Sequence, residues 1–338
     1  MTQMAKRAAS SKSLVVGIDL GGTNMQIGVV DAKNKIIGRE GRKTKAEQGS
    51  REVIDRIAKG VEKACENGGV SLKKIAAVGI AAPGAIDIPN GVVLEAPNLH
   101  WINLPLRDIL QRKLGCKVVV DNDVNGAVWG EFRLGGGRLG NKKKAHAEGA
   151  GDLLGVWMGT GVGGGLVING KLFYGAFFTA GEVGHTVIHP EGGEGRATVE
   201  DFCSRTGMSR TIEARLKDYP KSMLRELTDG TGKITGSKQL AKAFKAGDDL
   251  AVDVVNKAAD LLGIAIANWI TVLAIDNVVI GGGVTEALGR PYISRIRASF
   301  KKHVFPKRCQ KCRLVMTELK DDAGLLGAAL LARASLKS

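Results

Sequence analysis

No run in the 338 residues approaches the roughly 18 consecutive apolar residues of a membrane span, and the N-terminus MTQMAKRAASSKS lacks the apolar core of a secretion signal. Both absences predict a cytoplasmic protein with no membrane partner. Cysteine is scarce: five residues, at 65, 116, 203, 309 and 312, form no disulfide framework, so reduced thiols are expected. Cys309 and Cys312 make one CQKC pair. No second pair exists to complete four zinc ligands, which favours a structural or incidental role over zinc or redox chemistry. Acidic residues are also in deficit, 34 against 49 Lys and Arg, giving a formal charge of +15. The cations are scattered over the N-terminal tail, Lys142 to Lys144, and a stretch from Lys301 to Arg313. Solvated surface charge is the simpler reading, with attraction for nucleotides or polyphosphate behind it.

What is present is a chain with 44% hydrophobic residues and mean hydropathy near zero, long enough for two domains with separate cores. LVVGIDL (14–20) and MQIGVVD (25–31) flank GGTN and predict a hairpin with a Gly-rich turn. DLLGVWM (152–158) and GLVIN (165–169) flank GTGVGG and predict a second. Helical periodicity at 51–66, the apolar run IAAVGIAA, a helix near 105–114, the strand KVVV and a helix from about 124 lie between them. Further helices are expected around 199–216, 238–246, 250–274, 285–303 and 322–335, with a strand at NVVI. Two halves that each open with a Gly-rich hairpin imply a duplicated α/β architecture with a cleft. The stretch 134–151, rich in Gly and Lys, reads as a loop.

GTGVGG satisfies the dinucleotide-binding expression, yet β-prone GLVING follows it where a Rossmann turn must enter a helix. Glycines without a Cβ still let backbone N–H groups approach a phosphate. DLGGTN at 19–24 has the same character and adds Asp19, placed to organise a hydrated Mg²⁺. Either loop alone is an ordinary tight turn; two in duplicated positions point to a nucleotide clamp. GGGV at 281–284 follows an apolar strand and alone is a plain strand-to-helix turn. In VVVDNDVNGAVWGE, Asp121, Asn122 and Asp123 end a strand before a helix, where α/β proteins place ligands, so one carboxylate is a candidate general base rather than only an N-cap. EVGHTVIHPEGGEGRATVEDFCS at 182–204 is dense in possible metal ligands: Glu182, His185, His189, Glu191, Glu194, Glu200, Asp201 and Cys203.

Taken together, GIDLGGTN, AAPGAID, APNLHW, DNDVN with WGE, MGTGVGGGLVINGKLFYGA, AGEVGH and VIGGGV resemble, in order, the motifs of the ROK family of sugar kinases and repressors. The resemblance runs from about residue 14 to 334. It implies a duplicated ribonuclease H-like fold of the actin/hexokinase-like ATPases, two α/β domains with an active-site cleft. Their bounds are expected at 13–123 with a C-terminal helix at about 322–338, and at 124–321. It further implies an ATP- and Mg²⁺-dependent hexose 6-phosphotransferase. Glucose is the first choice, from APNLHW and the ProLeu that follows; mannose, fructose, N-acetylmannosamine and a polyphosphate donor are alternatives.

Carried over by motif, Asp19, Gly21, Gly22, Thr23 and Asn24 match the first phosphate loop, and Gly159, Thr160, Gly161 and Gly163 the second. Gly281, Gly282 and Gly283 match the adenosine-side loop. Asp123 matches the catalytic base, while Gly84, Asn98, Asn122, Asp123, Glu182, His185 and Glu200 fall where the family holds sugar hydroxyls. Zinc-bearing members place a CxCGxxGC loop after GEVGH. Here no cysteine lies between His185 and Glu200, so no structural zinc is expected. Family repressors carry a helix-turn-helix ahead of the sugar-binding body. Only about a dozen residues precede the first strand, which disfavours a regulator and a nucleic-acid partner. A homodimer or tetramer is implied by likeness alone.

Overall fold

The computed structural model of the chain describes residues 13–137, 151–189, 195 and 197–337. Most of the stretch 134–151, and Glu191 and Glu194, lie outside the described residues.

The first hairpin is β1 (Leu14–Leu20) and β2 (Asn24–Val30), paired antiparallel with Asp19 opposite Gln26. β3 (Ile36–Lys43) extends it, and β4 (Ile75–Ala82) and β8 (Lys117–Asn122) add in parallel, giving the order β3-β2-β1-β4-β8. The second sheet repeats this plan. β9 (Leu153–Met158) and β10 (Val162–Ile168) form its hairpin, β11 (Lys171–Leu172) flanks it, and β12 (Asn277–Gly281) and β13 (Arg313–Met316) join in parallel in the order β11-β10-β9-β12-β13. This equivalence of strand order is the duplication expected from the Gly-rich hairpins. A small antiparallel sheet, β5 (Ala85–Asp87), β6 (Val92–Ala96) and β7 (Trp101–Leu104), was not foreseen. Its strands are three to five residues long, too short to leave a periodic signal.

Two compact units result, one of Met1–Arg138, Leu172–Ala180 and Asp321–Ser338, the other of Leu139–Lys171 and Gly181–Lys320. The first unit thus keeps the helix Asp123–Leu134, which the expected boundary at 123 had assigned to the other domain. Its reason is close packing on the helix Ala323–Ser335: a Cβ on Gly327 would lie 1.7 Å from the Gly126 carbonyl oxygen. The same helix lies against β1 and β4, where a Cβ on Gly17 or Gly79 would come within 2.0 and 1.9 Å of its backbone. The first unit's core gathers Val16, Ile18, Ile27, Ile57, Ile80 and Leu110 from strands and flanking helices. The expected helix 199–216 is broken into Val199–Cys203 and Arg205–Arg215, because Ser204 takes an extended backbone (φ −70, ψ 163) and caps the second piece through Gly207 N–H.

Candidate active site

In the first unit the loop after β1 is a closed turn: Gly21 N–H donates to Asn24 C=O at 2.9 Å. Thr44, fully buried, locks it from behind, its hydroxyl donating to Gly21 C=O at 2.6 Å and its N–H to Thr23 C=O at 2.8 Å. Gly22 lies against Asn98, so that a Cβ there would stand 3.0 Å from the Asn98 Cβ. Asp19 rests on the first turn of the helix Ala323–Ser335, where Gly324 leaves it room; a Cβ would come 2.6 Å from its Oδ2. Burial, reinforced by the nearby charges of Asp123 and Asp321, raises its pKa to about 7. A helix N-terminus favours an anion by about 1 kcal/mol, so at Asp19 desolvation outweighs the dipole.

The end of β8 sorts its three polar residues into different tasks. Asn122 is the N-cap: its Oδ1 accepts from Val124 N–H (2.9 Å) and Asn125 N–H (3.2 Å), and its Nδ2 donates to Gly84 C=O at 3.1 Å. Gly84 holds φ +98 and has no space for a side chain, since a Cβ would fall 2.1 Å from the Glu95 carbonyl oxygen. Asp121 is buried and accepts from Asn122 N–H (2.8 Å), Asn125 Nδ2 (3.2 Å) and the Tyr174 hydroxyl (2.6 Å). Burial raises its pKa to about 6 against three hydrogen bonds that lower it. Asp123 opens the helix Asp123–Leu134 and is only partly buried, its Oδ1 accepting from Val124 N–H at 2.9 Å. Of the two carboxylates, Asp121 is consumed by structure and Asp123 stays reachable.

In the second unit the glycine turn closes through Gly159 N–H to Gly161 C=O at 2.9 Å. β10 begins at Val162, so Gly163 sits in the strand rather than in the turn. Glu200 braces this turn: its Oε2 accepts from Val162 N–H at 2.8 Å, and a Cβ on Gly161 would strike it at 2.3 Å. Arg205 donates to the Thr160 hydroxyl at 2.7 Å, and its N–H to Gly159 C=O at 3.0 Å. The turn Val183–His185 stacks on the same strand, because Gly184 would otherwise clash with the Val162 carbonyl oxygen at 2.0 Å. Glu182 and His185 are exposed, their Oε2 and Nε2 3.9 Å apart. At the end of β12 the Trp157 ring covers Gly281. Gly282, at φ +88, caps the helix Gly283–Leu288.

Residues 15–335 match the ROK family. The chain belongs to that family. The ROK relatives include the glucokinase of Thermotoga maritima, 33% identical over 94% of this chain and 96% of its own. The glucokinase of Halalkalibacterium halodurans is 32% identical over 94% of both chains. Among solved structures, a ROK glucokinase from Streptomyces griseus in complex with glucose and AMPPNP superposes with TM-score 0.79, 32% identity, and coverage of 95% of this chain and 100% of the other.

Several described side chains of the dense stretch 182–204 are engaged within the fold. Cys203 is buried, donates to Ala258 C=O at 3.3 Å, and has its pKa pushed up to about 12 by burial. Asp201 closes a capping box with Thr198, and His189 stacks on Phe202 with ring centroids 5.9 Å apart. Among the described residues no three His, Cys, Asp or Glu side chains gather as a metal site. The sequence does not mark Thr44, Tyr174, Arg205 or Trp157 as part of the site. Trp157, Tyr174 and Arg205 lie in or beside signature stretches, but nothing local shows their partners, and nothing around Tyr174 marks Asp121 as its own.

Proposed function

We propose that this ROK protein is a glucokinase, transferring the terminal phosphoryl group of ATP to the 6-hydroxyl of glucose. The reading is carried by end-to-end similarity to glucokinases at 32 and 33% identity, joined to a strand end that leaves Asp123 as the accessible carboxylate beside a spent Asp121. Phosphoryl transfer needs little covalent chemistry from a protein; it needs alignment and charge neutralisation. The loops Gly21–Asn24 and Gly159–Gly163 offer the phosphates backbone N–H groups other than those of Gly21, Gly159 and Val162, which the turns themselves use. Gly281 to Gly283 and Trp157 take the adenosine side, which favours ATP over polyphosphate. Gly84, Asn98, Asn122, Glu182, His185 and Glu200 orient the sugar; Glu200 also fixes the second turn through Val162.

Asp123 accepts the hydroxyl proton as the O–P bond forms, because a carboxylate is too weak a base to ionise an alcohol in advance. Asp19 fits the Mg²⁺ that accompanies ATP, being a carboxylate whose negative charge is destabilised by burial and by Asp123 until a cation answers it. The ion supplies neutralisation of the phosphate oxygens. A cytoplasmic homo-oligomer, dimer or tetramer, completes the proposal, and light scattering checks the assembly.

A coupled assay across glucose, mannose, fructose and N-acetylmannosamine, with ATP or polyphosphate, tests the reaction. Glucose with ATP is expected to give the highest kcat/KM, and Asp123→Asn to lower turnover by about 10²–10⁴-fold with an unchanged circular dichroism spectrum. No turnover with any sugar would instead favour a sugar sensor. Near-normal turnover in the variant removes Asp123 from the role of base.

A further inference from the structure

The first unit holds a cavity of about 520 Å³ that involves none of the glycine loops. It runs along β8, the outer strand of its sheet, between the start of the helix Leu106–Leu114 and the last turns of the helix Ala323–Ser335. Its volume lies within the roughly 300–1,000 Å³ of small-molecule sites. Val118 N–H turns away from β4 to the Gln111 Oε1 at 3.3 Å, and the alternation of a strand turns Val120 N–H the same way.

Two cations line this space. Arg107 is locked in place: its N–H donates to Gly91 C=O at 3.0 Å, and its stem packs where a Cβ on Gly91 would come within 2.3 Å. Nη1 donates to Pro89 C=O at 2.8 Å and Nε to Asp108 Oδ1 at 2.9 Å, which leaves further N–H groups of the fork unspent. Lys117 donates to the Ser335 carbonyl, a neutral partner. Two acids also line the cavity: Asp108 pairs with Arg107 Nε, and Asp121 accepts from Tyr174, Asn122 and Asn125. A pre-ordered guanidinium and an ammonium that line the same cavity are cationic donors of the kind a phosphate monoester uses.

We propose that this cavity is a second anion site, binding a phosphate monoester with a hydroxylated body through Arg107 and Lys117. Gln111 and the Val120 peptide meet the hydroxyls of the body. Asp121 and Tyr174 line the same cavity, and Asp121 stands two residues before Asp123. Occupancy therefore acts on the strand end that presents the base; this regulatory part rests on the kinase reading, whereas binding does not.

Titration calorimetry on the full chain tests it, with glucose and AMPPNP saturating and with glucose 6-phosphate, AMP and inorganic phosphate as separate probes. At least one monoester is expected to bind, and Arg107→Met/Lys117→Met to weaken it about tenfold or more, with glucose affinity unchanged. Glucose 6-phosphate alone identifies product feedback and AMP alone a nucleotide signal, whereas equal binding of all three overturns recognition of a hydroxylated body. No monoester binding, or equal binding by the double variant, overturns the proposal. Should the double variant fail to fold, Lys117→Met alone is expected to weaken binding about threefold or more. Glucose phosphorylation by the wild type is scored separately, so loss of the kinase reading leaves the binding result standing.

Discussion

Asp19 has a raised pKa because its charge is buried and faces two further carboxylates, Asp123 and Asp321. Its folded-state pKa of about 7 exceeds the ordinary 3.8, so the native state binds the proton more tightly than the unfolded chain. Stability therefore falls as pH rises from about 4 towards 7, and stays low above it. Asp19→Asn removes the penalty: its melting temperature is expected above that of wild type at pH 8, converging near pH 4, while affinity for MgATP is lost. Thermal melts across pH with and without MgATP check both halves. A variant that melts below wild type at pH 8 would contradict the buried charge. Asp19 and Asp123 stand out in the sequence because each is a carboxylate at the end of an apolar run, Asp19 in the last residues of β1 and Asp123 just after β8. The division of labour between Asp121 and Asp123 is not, since it depends on Tyr174, 53 positions away.

At the scale of elements, the helix Ala323–Ser335 is held by glycine rather than by side-chain interlock. Gly126 and Gly130 on one helix, Gly327 on the other, and Gly17 and Gly79 on the strands let backbones touch. Gly327→Leu places a side chain where a Cβ already has 1.7 Å, and is expected to destabilise the protein by about 3 kcal/mol, read as a lower urea midpoint. An unchanged midpoint would show that the two helices are not in backbone contact. The turn carrying Glu182 and His185 is likewise seated by Gly184 on Val162, without cysteine in the segment that follows. We expect metal analysis of purified protein to find less than stoichiometric zinc, and activity to survive a chelator once Mg²⁺ is restored in excess. One tightly held zinc per chain would refute this. The long helices and the strands β1, β2, β4, β8, β9, β10 and β12 are readable from periodicity and turn residues. β3, although eight residues long, alternates too weakly in hydrophobicity to be read, and β5, β6, β7, β11 and β13 are short strands that form through their neighbours.

Across the whole molecule the formal charge of +15 attracts anions over a distance set by salt. The KM for MgATP is expected to rise several-fold between about 50 and 300 mM salt while that for neutral glucose stays level, since the screening length falls with ionic strength. Parallel initial-rate series check it, and an equal response of both KM values would remove the steering. By itself, the amino-acid order determined the two Gly-rich hairpins, the α/β alternation and the family motifs, because turns, periodicity and short signatures are local. It also exposed the missing cysteines. Only the tertiary structure decided that Asn122 caps a helix and grips Gly84, that Glu200 braces the second turn, and that Arg107 and Lys117 share a cavity. Those roles arise where segments distant along the chain are brought within hydrogen-bonding range, and such contacts leave no mark on the residues that flank them.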